Sequence, residues 1–330
     1  MILRSRDGLG IHVVVRGRGD TSPLLMLHGF TGSHGSWPRE AVDRLAERRR
    51  VILVDLPGHG LSDKPETPGR YAFAAVLADL TDLLDALAVR AALWIGYSMG
   101  GRLALGAALM APEYVSGLIL ESTSPGIEDP EERETRRISD ARLAAKIETG
   151  SLEAFVAEWE SQPLFASQDS LPAAVRAAQR EQRLSNCPEA LAACLRGLGT
   201  GMQPSLWNGL PHLSVPALLI AGAEDEKFVR LNRMMSQSMP AATLALVQGA
   251  GHNVHLEQPA ALGRGRSQRV VMQRCAVEHG KLRIEKPRQR PEDTGLGLTS
   301  QPEEHDVVAG EQGVDQRGNH CPLVPDDAGE

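Results

Sequence analysis

Ser98 stands between glycines in Gly96-Tyr97-Ser98-Met99-Gly100-Gly101, after the apolar run Leu93-Trp94-Ile95 and before a helical pattern. Strand, Gly-x-Ser-x-Gly turn and helix in that order form a nucleophile elbow, which presents a serine hydroxyl at the top of a sheet. Side chains at 96 and 100 would collide with neighbouring backbone, so both positions need glycine. A serine becomes reactive only beside a general base held by an acid. The base candidate is His252, in Gly249-Ala250-Gly251-His252-Asn253 behind the apolar run Thr243–Val247. The acid candidate is Asp225, delivered through Gly222-Ala223-Glu224 behind Ala217–Ala221. Glu121, closing the run Leu118–Leu120, is the alternative acid, and Glu224 is a third. Developing negative charge needs N–H donors. The backbone N–H of Phe30, in Leu27-His28-Gly29-Phe30-Thr31-Gly32, and that of Met99 are the candidates. His28 and Asp55 (in Asp55-Leu56-Pro57-Gly58-His59-Gly60) read as braces of their loops rather than reacting groups.

These residues must be carried by a sheet. Short apolar runs recur at Leu24–Leu27, Val51–Val54, Leu93–Ile95, Leu118–Leu120, Ala217–Ala221 and Thr243–Val247, each the length of a strand buried on both faces. Helical patterns such as Phe73–Leu87 and Arg102–Met110 lie between several of them. Alternation of this kind predicts an α/β protein, a mostly parallel sheet with helices on both faces. Residues 1–16 predict a hairpin turning at Asp7-Gly8. Residues 125–212 break the rhythm: helical stretches interrupted at Gly150, Pro163, Pro172 and Pro188 predict a helical lid between the fourth and fifth parallel strands. The expected organisation is therefore a core over 1–124 and 213–262, a lid over 125–212, and a disordered or aberrant tail over 263–330. That tail has no Phe, Trp or Tyr and no clear periodicity, so it cannot bury enough apolar area to offset its ordering entropy.

The whole chain has 330 residues, a formal charge of −7 and a pI near 5.8, which speaks against a nucleic-acid binder. No apolar run reaches the 18 or so residues of a membrane span, and Met1–Arg6 lacks a signal sequence. Four scattered cysteines without a C-x-x-C pair suggest reduced thiols in the cytoplasm and no zinc. No histidine spacing predicts a metal, no cofactor is implied, and a monomer is expected.

The substrate class is suggested by arginines. Arg102 lies four residues beyond Ser98, a spacing that on a helix faces the same way. Arg133, Arg136 and Arg137 crowd the start of the insertion, and Arg183 stands in Arg183-Leu184-Ser185-Asn186. Arginines offer planar bidentate donors to carboxylates. Simple surface ion pairing is the competing reading for Arg133 and Arg137.

Over residues 24–259 the chain resembles MenH-type 2-succinyl-6-hydroxy-2,4-cyclohexadiene-1-carboxylate synthases of menaquinone and phylloquinone biosynthesis, members of the α/β-hydrolase superfamily. The resemblance rests on His28-Gly29-Phe30-Thr31-Gly32, Gly100-Gly101-Arg102, Gln162-Pro163-Leu164-Phe165, Arg183-Leu184-Ser185-Asn186, Asp225-Glu226-Lys227-Phe228 and Gly251-His252-Asn253-Val254-His255. It implies a lyase that removes a proton from a succinylated cyclohexene carboxylate, 2-succinyl-5-enolpyruvyl-6-hydroxy-3-cyclohexene-1-carboxylate, and expels pyruvate. It implies Ser98 as base, with Arg102, Arg136 and Arg183 holding carboxylates of the small-molecule substrate, and with Tyr97, Trp159 and Phe165 lining the pocket. The family ends in a short helix after Pro259, whereas here Ala260-Ala261-Leu262 leads into Gly263-Arg264-Gly265-Arg266. Two other readings of the same residues stay open: a serine hydrolase cutting an ester or C–C bond, and a non-catalytic receptor for a small ligand.

Overall fold

The computed structural model describes residues 1–259 and the backbone of two further strands, β8 (Cys275–Glu278) and β9 (Lys281–Ile284), which pair antiparallel. The remainder of the segment expected to be structureless lies outside the described residues. Lys281-Leu282-Arg283-Ile284 alternates charged and apolar residues, the period of a strand.

β1 (Ile2–Arg4) pairs antiparallel with the start of β2 (Gly10–Leu27), enclosing Asp7-Gly8, where Gly8 takes a positive φ of 89°. β2 serves the sheet twice. Val13 to Arg16 face Val54 back to Val51 of β3 (Arg49–Val54), whereas Leu24 to Leu27 face Val51 to Val54 in parallel. The chain doubles back between these halves near Gly17, where a Cβ would sit 2.3 Å from the Ala46 carbonyl oxygen. From there the sheet continues in parallel through β4 (Ala92–Tyr97), β5 (Val115–Glu121), β6 (Ala217–Gly222) and β7 (Ala242–Val247).

β4 and β6 are buried along their whole length, so they read as continuous apolar runs. α1 (Arg39–Ala46), α2 (Phe73–Ala86), α3 (Met99–Met110) and α8 (Glu226–Ser238) flank the sheet. One apolar cluster joins Val76, Leu80 and Leu84 of α2 to Trp94 and Leu103; a second joins Trp37 and Val42 to Ile95 and Ile220. Each such side chain contributes roughly 1.5–3 kcal/mol when fully buried.

Between β5 and β6 run α4 (Pro130–Thr149), α5 (Leu152–Glu160), α6 (Ala173–Leu184) and α7 (Pro188–Leu198). Their boundaries follow from local chemistry. The Asp129 carboxylate accepts the N–H groups of Glu131 and Glu132, Pro130 sits at the first helical position, and Gly150 ends the helix. Ser151 caps α5, and Pro188 opens α7. Ile147, Phe155, Val156 and Leu191 form a small core of their own within this insertion. α9 (Val254–Glu257) ends the described part of the core.

Candidate active site

Three loops at the C-terminal ends of parallel strands meet above the sheet. The first joins β4 to α3. Ser98 has φ 49° and ψ −107°, a strained conformation for a residue with a side chain. Its own amide donates to the Glu121 carbonyl at 2.9 Å, and its carbonyl accepts from Thr123 Oγ1 at 2.8 Å. A Cβ at Gly100 would lie 2.2 Å from the Leu27 carbonyl oxygen, and one at Gly96 would lie 2.4 Å from that of Gly100. These two glycines let the turn close.

The second loop follows β6. Asp225 caps α8, with Oδ1 accepting from the Phe228 N–H at 3.2 Å and Oδ2 lying 2.7 Å from His252 Nδ1. The third follows β7 and carries His252, 2% exposed, whose Nε2 lies 3.2 Å from Ser98 Oγ. A carboxylate only accepts, so His252 Nδ1 carries the proton and Nε2 turns its lone pair to the serine. Phe228 packs 4.5 Å from the imidazole centroid and helps fix the ring. Glu121, the alternative acid, is engaged elsewhere: its carboxylate bonds His255 Nδ1 at 2.8 Å. Glu224 is exposed.

Phe30 follows β2, in a loop whose next residue, Thr31, has φ 65°. As the first residue of α3, Met99 has no acceptor for its N–H within the helix, and among the described residues nothing takes up the Phe30 N–H. His28 braces the loop as expected: Nδ1 donates to the Gly29 carbonyl at 2.7 Å and Nε2 accepts from Leu56 N–H at 3.0 Å. The insertion holds the same loop. Asn186 Nδ2 donates to the Thr31 carbonyl at 3.0 Å, and Gln182 Nε2 donates to Ser36 Oγ at 2.9 Å.

A cavity of about 450 Å³ opens beside the triad. Its walls include Phe30, Tyr97, Trp159, Phe165, Arg183 and Asn253. Arg183 is 5% exposed, stacks 5.2 Å over the Phe165 ring and pairs with Glu160 at 3.0 Å.

Arg102 lies one turn beyond Ser98, its N–H donating to the Ser98 carbonyl at 3.0 Å. While Ser98 Oγ turns to His252, the Arg102 guanidinium donates to Gln203 Oε1 at 2.7 Å and to the Leu198 carbonyl at 3.0 Å. Burial, with Arg136 nearby, lowers its pKa to about 10. Arg136 pairs with Asp140 at 2.7 Å. Neither Arg102 nor Arg136 is a wall residue of the cavity. Arg137 makes an exposed ion pair with Glu134, the surface reading.

One cluster could in principle hold a metal: His12 Nδ1, His34 Nδ1 and the Asp55 carboxylate lie within 4.8 Å of one another. Asp55 already accepts from both rings and from the amides of His34 and Leu61, at 2.6–3.0 Å. Its burial opposes ionisation, yet the His34 and Leu61 hydrogen bonds hold its pKa far below the usual carboxylate range. The group is complete as a brace for its loops.

Sequence reasoning gave no role to His255, Glu257 or Asn186, although Asn186 and His255 stand in the motifs quoted above. The recurrence of side-chain acceptors at Asn253 and Glu257, astride a short helix, was the available signal.

The sheet order, the elbow and the triad above the strand ends describe an α/β hydrolase. Residues 22–259 match the family model described as alpha/beta hydrolase fold, and the chain belongs to that family. A Bacillus subtilis (strain 168) protein assigned as 2-succinyl-6-hydroxy-2,4-cyclohexadiene-1-carboxylate synthase is 43% identical over 258 residues, 78% of this chain and 93% of its own. The synthase of that name from Salmonella typhimurium is 35% identical over 74% of this chain and 92% of its own. The structure of MenH from S. aureus superposes with a TM-score of 0.71 at 36% identity, covering 75% of this chain and 93% of that one. Within the α/β hydrolases, this chain therefore belongs to the 2-succinyl-6-hydroxy-2,4-cyclohexadiene-1-carboxylate synthases.

Proposed function

We propose that the protein is a carbon–oxygen lyase of menaquinone biosynthesis, converting 2-succinyl-5-enolpyruvyl-6-hydroxy-3-cyclohexene-1-carboxylate to 2-succinyl-6-hydroxy-2,4-cyclohexadiene-1-carboxylate with loss of pyruvate. The reading is carried by a complete Ser98–His252–Asp225 relay beside buried arginines, in a chain whose relatives bear that name. A triad alone would serve an ester equally well.

In this reading Ser98 is the base. His252 Nε2 takes the hydroxyl proton as Ser98 Oγ removes a proton from the substrate ring, and Asp225 holds the imidazolium that forms. The electron pair left on carbon moves into the ring system, and the C–O bond to the enolpyruvyl group breaks. The enolpyruvyl group leaves as the enolate of pyruvate with that bond's electrons and takes up the proton held by His252, so pyruvate is released and the triad is restored. No acyl-enzyme forms. Charge that develops on a carbonyl oxygen is met by the N–H groups of Phe30 and Met99.

Arg183 is the carboxylate partner in the cavity wall, with Tyr97, Trp159 and Phe165 against the ring. Arg102 supports the same reading from behind. A desolvated guanidinium whose hydrogen bonds go to neutral oxygens still lacks a counter-charge in contact. Rotation of Arg102, joined by Arg136, toward the site would supply a second subsite for a carboxylate. The test is incubation with the enolpyruvyl precursor, with released pyruvate read through lactate dehydrogenase. Absence of pyruvate together with fast aryl-ester cleavage would replace this reading with a serine hydrolase, and tight binding without turnover would replace it with a receptor.

A further inference from the structure

The imidazole of His252 rides on a loop, and a loop has no ladder of its own to hold it. Glu257 supplies the missing bonds. Its Oε2 accepts the Gly251 N–H at 2.6 Å and its Oε1 accepts the Asn253 N–H at 3.0 Å. These are the two amides flanking His252. All four residues are buried, Glu257 to 9% exposure, and ionised acceptors on buried N–H groups make the stronger class of hydrogen bond.

The helix carrying Glu257 is itself anchored beneath the elbow. Glu121 Oε1 accepts both the His255 N–H at 3.1 Å and the His255 ring at 2.8 Å. The main-chain carbonyl of that same Glu121 accepts the Ser98 N–H. A continuous path thus runs from the amide of the serine, through Glu121, His255 and Glu257, to the backbone on either side of the histidine. No member of it is needed for proton transfer.

We propose that Glu257 is a positioning residue for His252: its carboxylate fixes the pitch of residues 251–253, so that Nε2 meets Ser98 Oγ. The proposal rests on the reading in which His252 takes the hydroxyl proton of Ser98. Gln at 257 would keep one acceptor oxygen but turn an N–H₂ group against the second amide, breaking the bracket without emptying the space.

The experiment measures pyruvate release and thermal unfolding for Glu257→Gln, Glu257→Ala, His252→Ala and the His252→Ala/Glu257→Gln double variant. Misplacing a reacting group by about 1 Å can cost on the order of 10²-fold, so both single Glu257 variants should lose about that much in kcat, with KM moving by less than about threefold. On the His252→Ala background the Glu257 change should cost nothing further, since groups acting as one unit are not additive. Equal losses on both backgrounds would overturn the proposal, as would unchanged kcat per folded molecule with only a lower Tm. A fully active His252→Ala enzyme would instead defeat the role of His252 as the acceptor of the Ser98 proton, a failure visible before any Glu257 variant is compared.

Discussion

Ser98 stores strain in the backbone that aims it, and the strain can be measured by comparing two dead enzymes. At φ 49° and ψ −107° a residue with a Cβ pays about 1–3 kcal/mol. Ser98→Ala and Ser98→Gly both remove the hydroxyl and its contact with His252 Nε2. They differ only in the Cβ. Glycine relieves the strain but gives back about 0.5–1 kcal/mol through the greater freedom of its unfolded chain. The Gly variant should therefore be more stable than the Ala variant by about 1 kcal/mol, taken at the middle of these ranges, or about 2–4 °C in Tm for a domain of this size. Urea unfolding of the two variants, followed by far-UV circular dichroism, gives the difference directly. Turnover should fall by about 10⁴–10⁶ in both. A Gly variant no more stable than the Ala variant would refute the strain argument. Near-full pyruvate release from either would refute the base assignment.

Other perturbations follow from the same geometry. Gly100→Ala should fail to fold or unfold well below the parent temperature, because its Cβ would fall 2.2 Å from the Leu27 carbonyl oxygen, main chain that cannot step aside; thermal scanning decides. Burial, with His28 adding to it, lowers the His59 pKa from its ordinary 6.5 to about 3. Below pH 6.5 the unfolded chain binds that proton and the native one does not, so stability present above 6.5 should be lost toward pH 3, by up to about 1.4 kcal/mol per pH unit. Denaturant midpoints across this range should flatten in His59→Gln. Arg183→Lys should lower kcat/KM about 10- to 100-fold, since lysine neither stacks on Phe165 nor forks a carboxylate; an unchanged value would remove Arg183 from the site.

The strands were legible wherever burial on both faces made apolar runs, as in Leu93–Ile95 and Ala217–Ala221 within β4 and β6. The insertion's breaks were legible because Pro and Gly act locally, and Pro188 and Gly150 stand at helix ends. The reversal inside β2 was not legible. It depends on the carbonyls of Ala46 and Arg48 crowding Gly17 and Gly19, contacts about 30 residues apart. Chain order and the loops behind β6 and β7 pointed to Asp225 and His252, and the geometry joins both to Ser98. The partners of Arg102 were not legible, because Gln203 and the Leu198 carbonyl stand 101 and 96 residues away. Glu257 escaped notice because its importance lies in which amides it meets, and that is a property of the folded loop alone.

The bond from Asn186 to the Thr31 carbonyl has a consequence for chimeras. The helices between β5 and β6 could be taken for cargo on a finished catalyst. Here the insertion also holds the loop that bears Phe30, through Asn186 and the Thr31 carbonyl. Grafting a relative's helices onto this core would release the loop of residues 28–32 from that bond even where the new pocket fitted its ligand. Because the acceptor is main chain, a chimera keeps this bond by keeping a donor at position 186, 155 residues from the carbonyl it reaches.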